Sequence, residues 1–246
     1  MGGEPTAAFL SLAVPARLPQ TWIDRFLDGF LALAKDFRVP LAGGDTAQSP
    51  GGILADIVVL GSVPRGRAIL RSKAQPGDLI YVTGALGGGA AALHPLFAGE
   101  RIKYEGYQRH FHPIPRIKTG RFLRQRRLAT AMIDISDGLS TDLGHICDES
   151  QVGADVEASQ IPRARVGPAG VQVSLYDALH GGDDYELIFT VAPGKPVPSK
   201  IGDVAVTCIG RIRRAKGMAL IQKDQRSILK PKGWQHFRSR SGGGAH

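Results

Sequence analysis

The sequence predicts an α+β fold in two domains, and three observations carry the prediction. Helical and strand-like patterns follow one another without the strict alternation that a doubly wound parallel sheet needs. The pattern breaks and restarts near residue 64. Of 246 residues, 43% are hydrophobic and 22% charged, enough apolar material for one large core or two smaller ones.

Residues 6–14 are apolar, short and stopped by Pro15, whose ring lacks an N–H, so they predict a buried strand. Over residues 21–37, Ile23, Phe26, Leu27, Phe30, Leu31 and Ala34 fall on one face, predicting an amphipathic helix with Thr21 as N-cap and Asp24 three residues on. A short apolar strand then ends in Gly43-Gly44-Asp45-Thr46. Residues 53–63 read as a strand too apolar to be fully exposed, closed by Pro64. Residues 1–64 therefore form the first domain and 65–238 the second, joined by the basic link Arg65-Gly66-Arg67. In the second, strands are expected at 79–83, 131–135, 185–191 and 204–209. A small-residue helix should start near Leu86 and another run over 139–148. Gly87-Gly88-Gly89 lacks the Gly-Lys-Ser/Thr ending of a P-loop and reads as a tight start to the first of these helices. Residues 239–246, Gly-rich and polar, predict a disordered tail.

A formal charge of +9 predicts attraction to anions, whether nucleic acid, a membrane surface or small phosphorylated ligands. The basic residues cluster at 101–127 and 211–240 without the interleaved aromatics of a base-stacking platform, which argues against nucleic acid as the main partner. No apolar run approaches the ~20 residues of a membrane span, and Met1-Gly2-Gly3-Glu4-Pro5 lacks the regions of a secretion signal, so the expected location is cytoplasmic. Cys147 and Cys208 sit in apolar patterns without metal spacing and are expected to be buried free thiols.

Three segments carry candidate chemistry. In Ile133-Asp134-Ile135-Ser136-Asp137-Gly138-Leu139, two aspartates three apart at a strand–helix junction can direct hard oxygen ligands at one magnesium ion, with helix N–H groups beside them for phosphate. The alternative is a capped helix, Ser136 or Asp137 satisfying its first N–H groups. In Gly43-Gly44-Asp45-Thr46, glycines allow a ligand close to the backbone and Asp45 can take a metal, although the same residues also make an ordinary turn. In Gly181-Gly182-Asp183-Asp184-Tyr185-Glu186-Leu187, crowded acids point to a cationic ligand or a metal, or else to a solvated loop.

In this order, and together with Arg71-Ser72, Pro76-Gly77-Asp78, Pro113-Ile114-Pro115-Arg116 and Gly233-Trp234-Gln235-His236-Phe237, these segments resemble the thiamine-monophosphate kinases almost end to end. The resemblance implies the two-domain fold of the aminoimidazole ribonucleotide synthetase-like superfamily, with an incomplete N-terminal domain for ATP, metal and dimerisation and a C-terminal α/β two-layer domain. It implies Mg2+-dependent transfer of the γ-phosphoryl group of ATP to thiamine monophosphate in a homodimer. Residue by residue, it implies magnesium at Asp45, Asp134 and Asp137, ATP at Gly44, Asp45, Arg71 and Ser136, and the thiamine substrate at Asp183 and Trp234. Asp45, Asp134, Asp137 and Arg71 form the catalytic set. A carboxylate suits the thiazolium cation and an indole can cover an aromatic ring; a surface tryptophan packed over its own tail is the other reading of Trp234. Asp183 stands where the family usually has glutamate, and Lys73 follows Arg71-Ser72 where glycine is common. Met1-Gly2-Gly3-Glu4-Pro5 resembles an internal segment of the family, so the usual segment before it, with further metal-binding aspartates, is expected to be missing. The competing readings are an inactive ATP-binding remnant of the same superfamily and a basic nucleic-acid-binding protein.

Overall fold

In the first unit every second residue of one strand is the core: Ala8, Leu10 and Leu12 are 2–6% exposed along β1 (Glu4–Val14). The strand is central because both neighbours hydrogen-bond to it, β2 (Leu41–Gln48) in parallel and β3 (Leu54–Ser62) antiparallel, in the order β2-β1-β3. Against the expectation from its apolar sequence, β3 is exposed along its whole length, because it is the edge of this three-stranded sheet. The helix α1 (Gln20–Asp36) carries most of the expected stripe, with Ile23, Phe26, Leu27, Phe30 and Ala34 half-buried, whereas Leu31 is exposed. Thr21 is not its N-cap. That position is Pro19, with no side-chain cap, while Gln20 Nε2 donates to Asp24 Oδ1 at 2.9 Å.

The computed structural model describes residues 1–234. The tail read as disordered, 239–246, lies outside the described residues, as do Gln235, His236 and Phe237. The chain divides into a unit of Gly3–Ala68 and a larger one holding Met1–Gly2 and the residues from Ile69 onward. Met1 and Gly2 join the larger unit through the Ile69 N–H on the Met1 carbonyl (3.2 Å) and Arg124 Nε on the Gly2 carbonyl (2.6 Å).

The larger unit is a mixed sheet with helices on it. Its elements in chain order are β4 (Leu79–Thr83), α2 (Gly88–Phe97), α3 (Gln108–Phe111), α4 (Ile117–Gln125), β5 (Ala129–Ile135) and α5 (Leu139–Ser150). Then follow β6 (Gly153–Glu157), β7 (Arg165–Val166), β8 (Val171–Gln172), α6 (Leu175–His180), β9 (Glu186–Val191), β10 (Lys200–Ile201), β11 (Val204–Arg213), β12 (Gly217–Gln222) and β13 (Gln225–Ile228). The main sheet runs β13-β12-β6-β11-β4-β9-β5, with β10 beside β11. Strand alternation divides its core. Ala131, Ile135 and Ile188 join Leu139, Leu143 and Ile146 of α5, whereas Met132, Leu187, Phe189 and Val191 pack with Leu123 of α4. The sequence reading did not place α4, α6, β6, β12 or β13. Cys147 is buried, as expected, and burial pushes its thiol up to about 12; Cys208 is only half-buried. No helix among the described residues is long and apolar enough to cross a membrane.

Candidate active site

The strand β5 ends at Ile135 and α5 begins at Leu139, and the three residues between hold the junction motif. Asp134 alternates with Ile133 and Ile135 and sits opposite Leu187 of β9. Gly138 takes the N-cap position at φ +107, where a Cβ would stand 2.8 Å from the His180 carbonyl oxygen. Neither Ser136 nor Asp137 caps the helix. Instead Asp142, 1% exposed, reaches back one turn and accepts the N–H groups of both, each at 3.1 Å, which leaves the Asp137 carboxylate for other work.

Negative charge accumulates here. Burial first, then the charges of Asp137 and Asp134, push the Asp142 carboxyl up to about 7 against the two N–H groups that favour its anion. The Tyr185 phenol is raised to about 12 by burial, by its bond to Asp183 and by Asp183, Asp134 and Asp137 together. Like charges held this close call for a cation. Ligand atoms of Asp137, Asp142 and His145 lie within 4.8 Å of one another. Magnesium prefers oxygen to imidazole, and Asp142 already serves two N–H groups, so the donor set that fits a magnesium ion is the carboxylates and not His145.

The loop Gly181–Tyr185 is not the solvated loop that crowded acids can also suggest. Asp183 N–H donates to the Ser136 carbonyl (2.9 Å) and Tyr185 N–H to the Ile135 carbonyl (2.8 Å), pinning the loop to the end of β5. Asp183, at φ +62, accepts the Tyr185 hydroxyl at 2.9 Å. The three acids part company. Asp184 accepts the N–H groups of Gly87 (2.6 Å) and Gly89 (3.2 Å), so it holds the N-terminus of α2 and explains the triple glycine as the predicted tight start. Glu186 turns away into an ion-pair network with Arg116, Arg109 and Thr83. Only Asp183 faces open space.

That space is a cleft of 910 Å³, within the range of small-ligand sites. It brings together Ser136, Asp137, Asp183 and Trp234 of the predicted set. Its walls add residues that the sequence reading missed. Ala90, Leu93 and Phe97 form an apolar helical stripe of α2; Tyr176 meets His180 edge-on at 4.7 Å, and Lys232 Nζ stands 6.0 Å over the Tyr176 ring. The i, i+4 spacing of Tyr176 and His180 was the available signal, hidden in a helix of six residues.

The other predicted residues lie elsewhere. Arg71 stands by the opposite end of α5, its carbonyl accepting Ser150 Oγ (2.7 Å) and its guanidinium 3.9 Å from Glu149; twelve helical residues, about 18 Å by rise, separate that end from Asp137. Gly44 and Asp45 belong to the smaller unit and lie within β2, not in a turn after a strand. A Cβ on Gly44 would fall 1.8 Å from the Leu10 carbonyl oxygen, so the parallel β1–β2 contact itself demands glycine there. Asp45, exposed, accepts the Thr46 N–H at 2.8 Å.

Asp184 also makes a pH prediction. Burial raises its carboxyl to about 6, from an unfolded value near 3.8. Between those values the unfolded chain releases its proton first, so stability falls as pH rises from about 4 to 6 and is level above. Asp184→Asn removes this contribution. The difference in urea midpoint between wild type and variant should therefore move in the variant's favour from pH 4 to 6; a difference constant over that window would refute the assignment.

Comparison with known proteins agrees with this architecture. The model of the AIR synthase related protein N-terminal domain matches residues 1–63, and that of the C-terminal domain residues 75–223. The thiamine-monophosphate kinase of Buchnera aphidicola subsp. Schizaphis graminum is 38% identical over 249 residues, covering 96% of this chain and 76% of that protein. That of Bacillus subtilis is 33% identical, covering 97% and 77%. The crystal structure of thiamine-monophosphate kinase from Stenotrophomonas maltophilia superposes with a TM-score of 0.80 at 36% identity, over 89% of this chain and 73% of that one. A structure of AaThiL complexed with AMPPCP and TMP gives 0.81 at 27%, over 96% and 75%. With both family models matched in order and identities above 30% over nearly all of this chain, it belongs to the thiamine-monophosphate kinase family of AIR synthase related proteins.

Proposed function

We propose that this chain transfers the γ-phosphoryl group of ATP to thiamine monophosphate, giving thiamine diphosphate, in the cytoplasm. The observation that carries the reading is the cleft itself, where the Asp183 carboxylate, the Trp234 indole and the anionic start of α5 converge. A carboxylate and an indole suit a flat cationic ring, and a carboxylate cluster beside helix N–H groups suits a phosphate brought in with a metal. In this reading Asp183 attracts the thiazolium and Trp234 covers the ring. Ser136, Gly44, Asp45 and Arg71 contact ATP, and Asp45, Asp134 and Asp137 hold magnesium. Magnesium, when bound, would neutralise the phosphate oxygens and so reduce the repulsion between two anionic substrates.

The chain's residues then have to position and screen. No base is required, since the second pKa of a phosphate monoester lies near about 6 and leaves the attacking oxygen ionised at neutral pH. The Tyr185 phenol, raised to about 12, stays protonated and keeps Asp183 oriented through its hydrogen bond. Catalysis on this scheme is alignment of donor and acceptor, without a covalent enzyme intermediate. Residues 1–64 would supply the ATP-side and dimerisation surface. β3 is an edge strand with Leu54, Ile57, Val58, Val59 and Leu60 at 46–58% exposure, the kind of apolar edge that a second copy would cover.

The test is thiamine diphosphate formation from thiamine monophosphate, ATP and magnesium, with sedimentation equilibrium on the same preparation. Product and a dimer are expected. Mg-ATP binding without turnover would instead make the chain an inactive nucleotide-binding member of the fold, and a monomer would refute the role of β3.

A further inference from the structure

The last described residues cross the first turn of α5 and are held there by three consecutive backbone N–H groups. Lys232 donates to Ser140 Oγ at 3.3 Å, Gly233 to Thr141 Oγ1 at 3.1 Å and Trp234 to the Asp137 carbonyl at 3.1 Å. Both hydroxyl residues are buried, Ser140 at 0% and Thr141 at 5% exposure. A hydroxyl in a first helical turn ordinarily serves its own helix, as a cap or by bonding back to a carbonyl. Here each accepts from a segment 92 residues away. The fit is close. A Cβ on Gly233 would stand 1.7 Å from the Asp137 carbonyl oxygen and 2.6 Å from Thr141 Oγ1, so only glycine permits the approach. Upstream, Leu229 is buried and its N–H donates to the Met218 carbonyl at 3.0 Å, which fixes where the segment starts.

We propose that Thr141 and Ser140 are positioning residues for the thiamine-monophosphate site, seating residues 232–234 on α5 and thereby setting where the Trp234 indole stands in the cleft. The proposal rests on the kinase reading of that cleft. The three backbone anchors fix where the chain carries Trp234 into the cleft. Ser140 Oγ also bonds His180 Nδ1 at 2.8 Å, and His180 packs edge-on against Tyr176. One hydroxyl thus ties the Trp234 segment to the aromatic wall facing the same space. The bond from Trp234 N–H to the Asp137 carbonyl couples that segment to the backbone of a proposed metal carboxylate.

Thr141→Val removes the acceptor and keeps the shape. With the full chain, it should raise KM for thiamine monophosphate about five- to tenfold, equivalent to about 1.0–1.4 kcal/mol. It should leave kcat and KM for ATP within about twofold, the pattern of lost ground-state binding at one substrate. Thr141→Ser, which restores the oxygen, should restore KM. An unchanged KM, an equal rise for ATP, or failure of serine to rescue would overturn the proposal. A second readout needs no turnover. The sequence has two tryptophans, so a Trp22→Phe background leaves Trp234 as the reporter; its fluorescence anisotropy should fall in Thr141→Val and return in Thr141→Ser. Equal anisotropy in all three proteins overturns the anchoring. The expected anisotropy pattern in a chain that phosphorylates nothing would overturn the kinase reading, and with it the substrate role, while upholding the anchors.

Discussion

Asp134→Asn is expected to lower kcat for thiamine diphosphate formation by about 10²–10³, the scale on which one preorganised electrostatic partner acts in a transition state. Asparagine keeps the shape and one oxygen but loses the charge, and a hard dication discriminates strongly between the two. The variant should fold. Asp134 adds to the repulsion that raises the Asp142 carboxyl to about 7 and the Tyr185 phenol to about 12, and its one opposing attraction among the described residues is for the Met1 ammonium, so removing its charge relieves two repulsions against one attraction in the metal-free chain. Its melting temperature without magnesium should therefore equal or exceed that of the wild type, as at sites where function is held against stability. The rise in melting temperature on adding magnesium should shrink. Full activity in Asp134→Asn would end the metal assignment, while a lowered metal-free melting temperature would show instead that the residue is a structural support.

Much of this fold was legible because its signals are local. The stripe Ile23, Phe26, Leu27, Phe30 and Ala34 specifies α1 through helical spacing alone, and the apolar runs behind β4, β5, β9 and β11 leave little choice of state. Where the reading failed, a distant partner had decided the matter. Gly43-Gly44 looks like a strand end because glycine is a poor strand residue, yet β2 runs through it to Gln48, since the carbonyl of Leu10 leaves no room for a Cβ. Thr21 looks like a cap because it precedes the stripe, but the cap lies two residues earlier, at Pro19, and nothing local distinguishes the two.

The site divides in the same way. Asp134, Ser136 and Asp137 could be singled out because two acids and a serine before a glycine mark a junction, and the structure does put them between β5 and α5. Asp142 was invisible. It lies on the buried face with Leu139, Leu143 and Ile146, and only its backward reach to the N–H groups of Ser136 and Asp137 explains an acid in that stripe. The run Asp183-Asp184-Tyr185-Glu186 announces charge but not its destinations, because Asp183 stays with Tyr185 two residues on while the other two acids find partners far along the chain. Asp184 finds its partners 95 and 97 residues back, and Glu186 its nearest arginine at a separation of 70. Local spacing cannot carry such information.

Glu186→Gln is expected to be the most destabilising conservative change in the larger unit, about 3–5 kcal/mol, the range found when a buried ion pair loses one partner. The Glu186 side chain is 1% exposed and accepts from Arg116 Nε at 2.7 Å, Arg116 Nη2 at 2.5 Å, Thr83 Oγ1 at 2.6 Å and Arg109 Nη1 at 3.3 Å. Gly84 exists to make room for it, since a Cβ there would lie 2.0 Å from Oε1. Glutamine fits the space but turns an amide N–H₂ toward a guanidinium and leaves Arg116, 16% exposed, without a counter-charge. At about 2–4 °C per kcal/mol for a unit of this size, the melting temperature should drop by roughly 10 °C. Arg109→Ala should cost far less, because that side chain is 45% exposed and solvent screens it. The contrast matters more than either value. Arg109 and Arg116 lie in the segment between α2 and α4, whose one α-helix is the four-residue α3, and Glu186 begins the strand directly after the Asp183 loop. If the network is the tether between that segment and the strand behind the cleft, Glu186→Gln should also raise KM for thiamine monophosphate. A loss under about 1 kcal/mol in chemical denaturation, equal to that of Arg109→Ala, would show instead that water reaches and screens the pair.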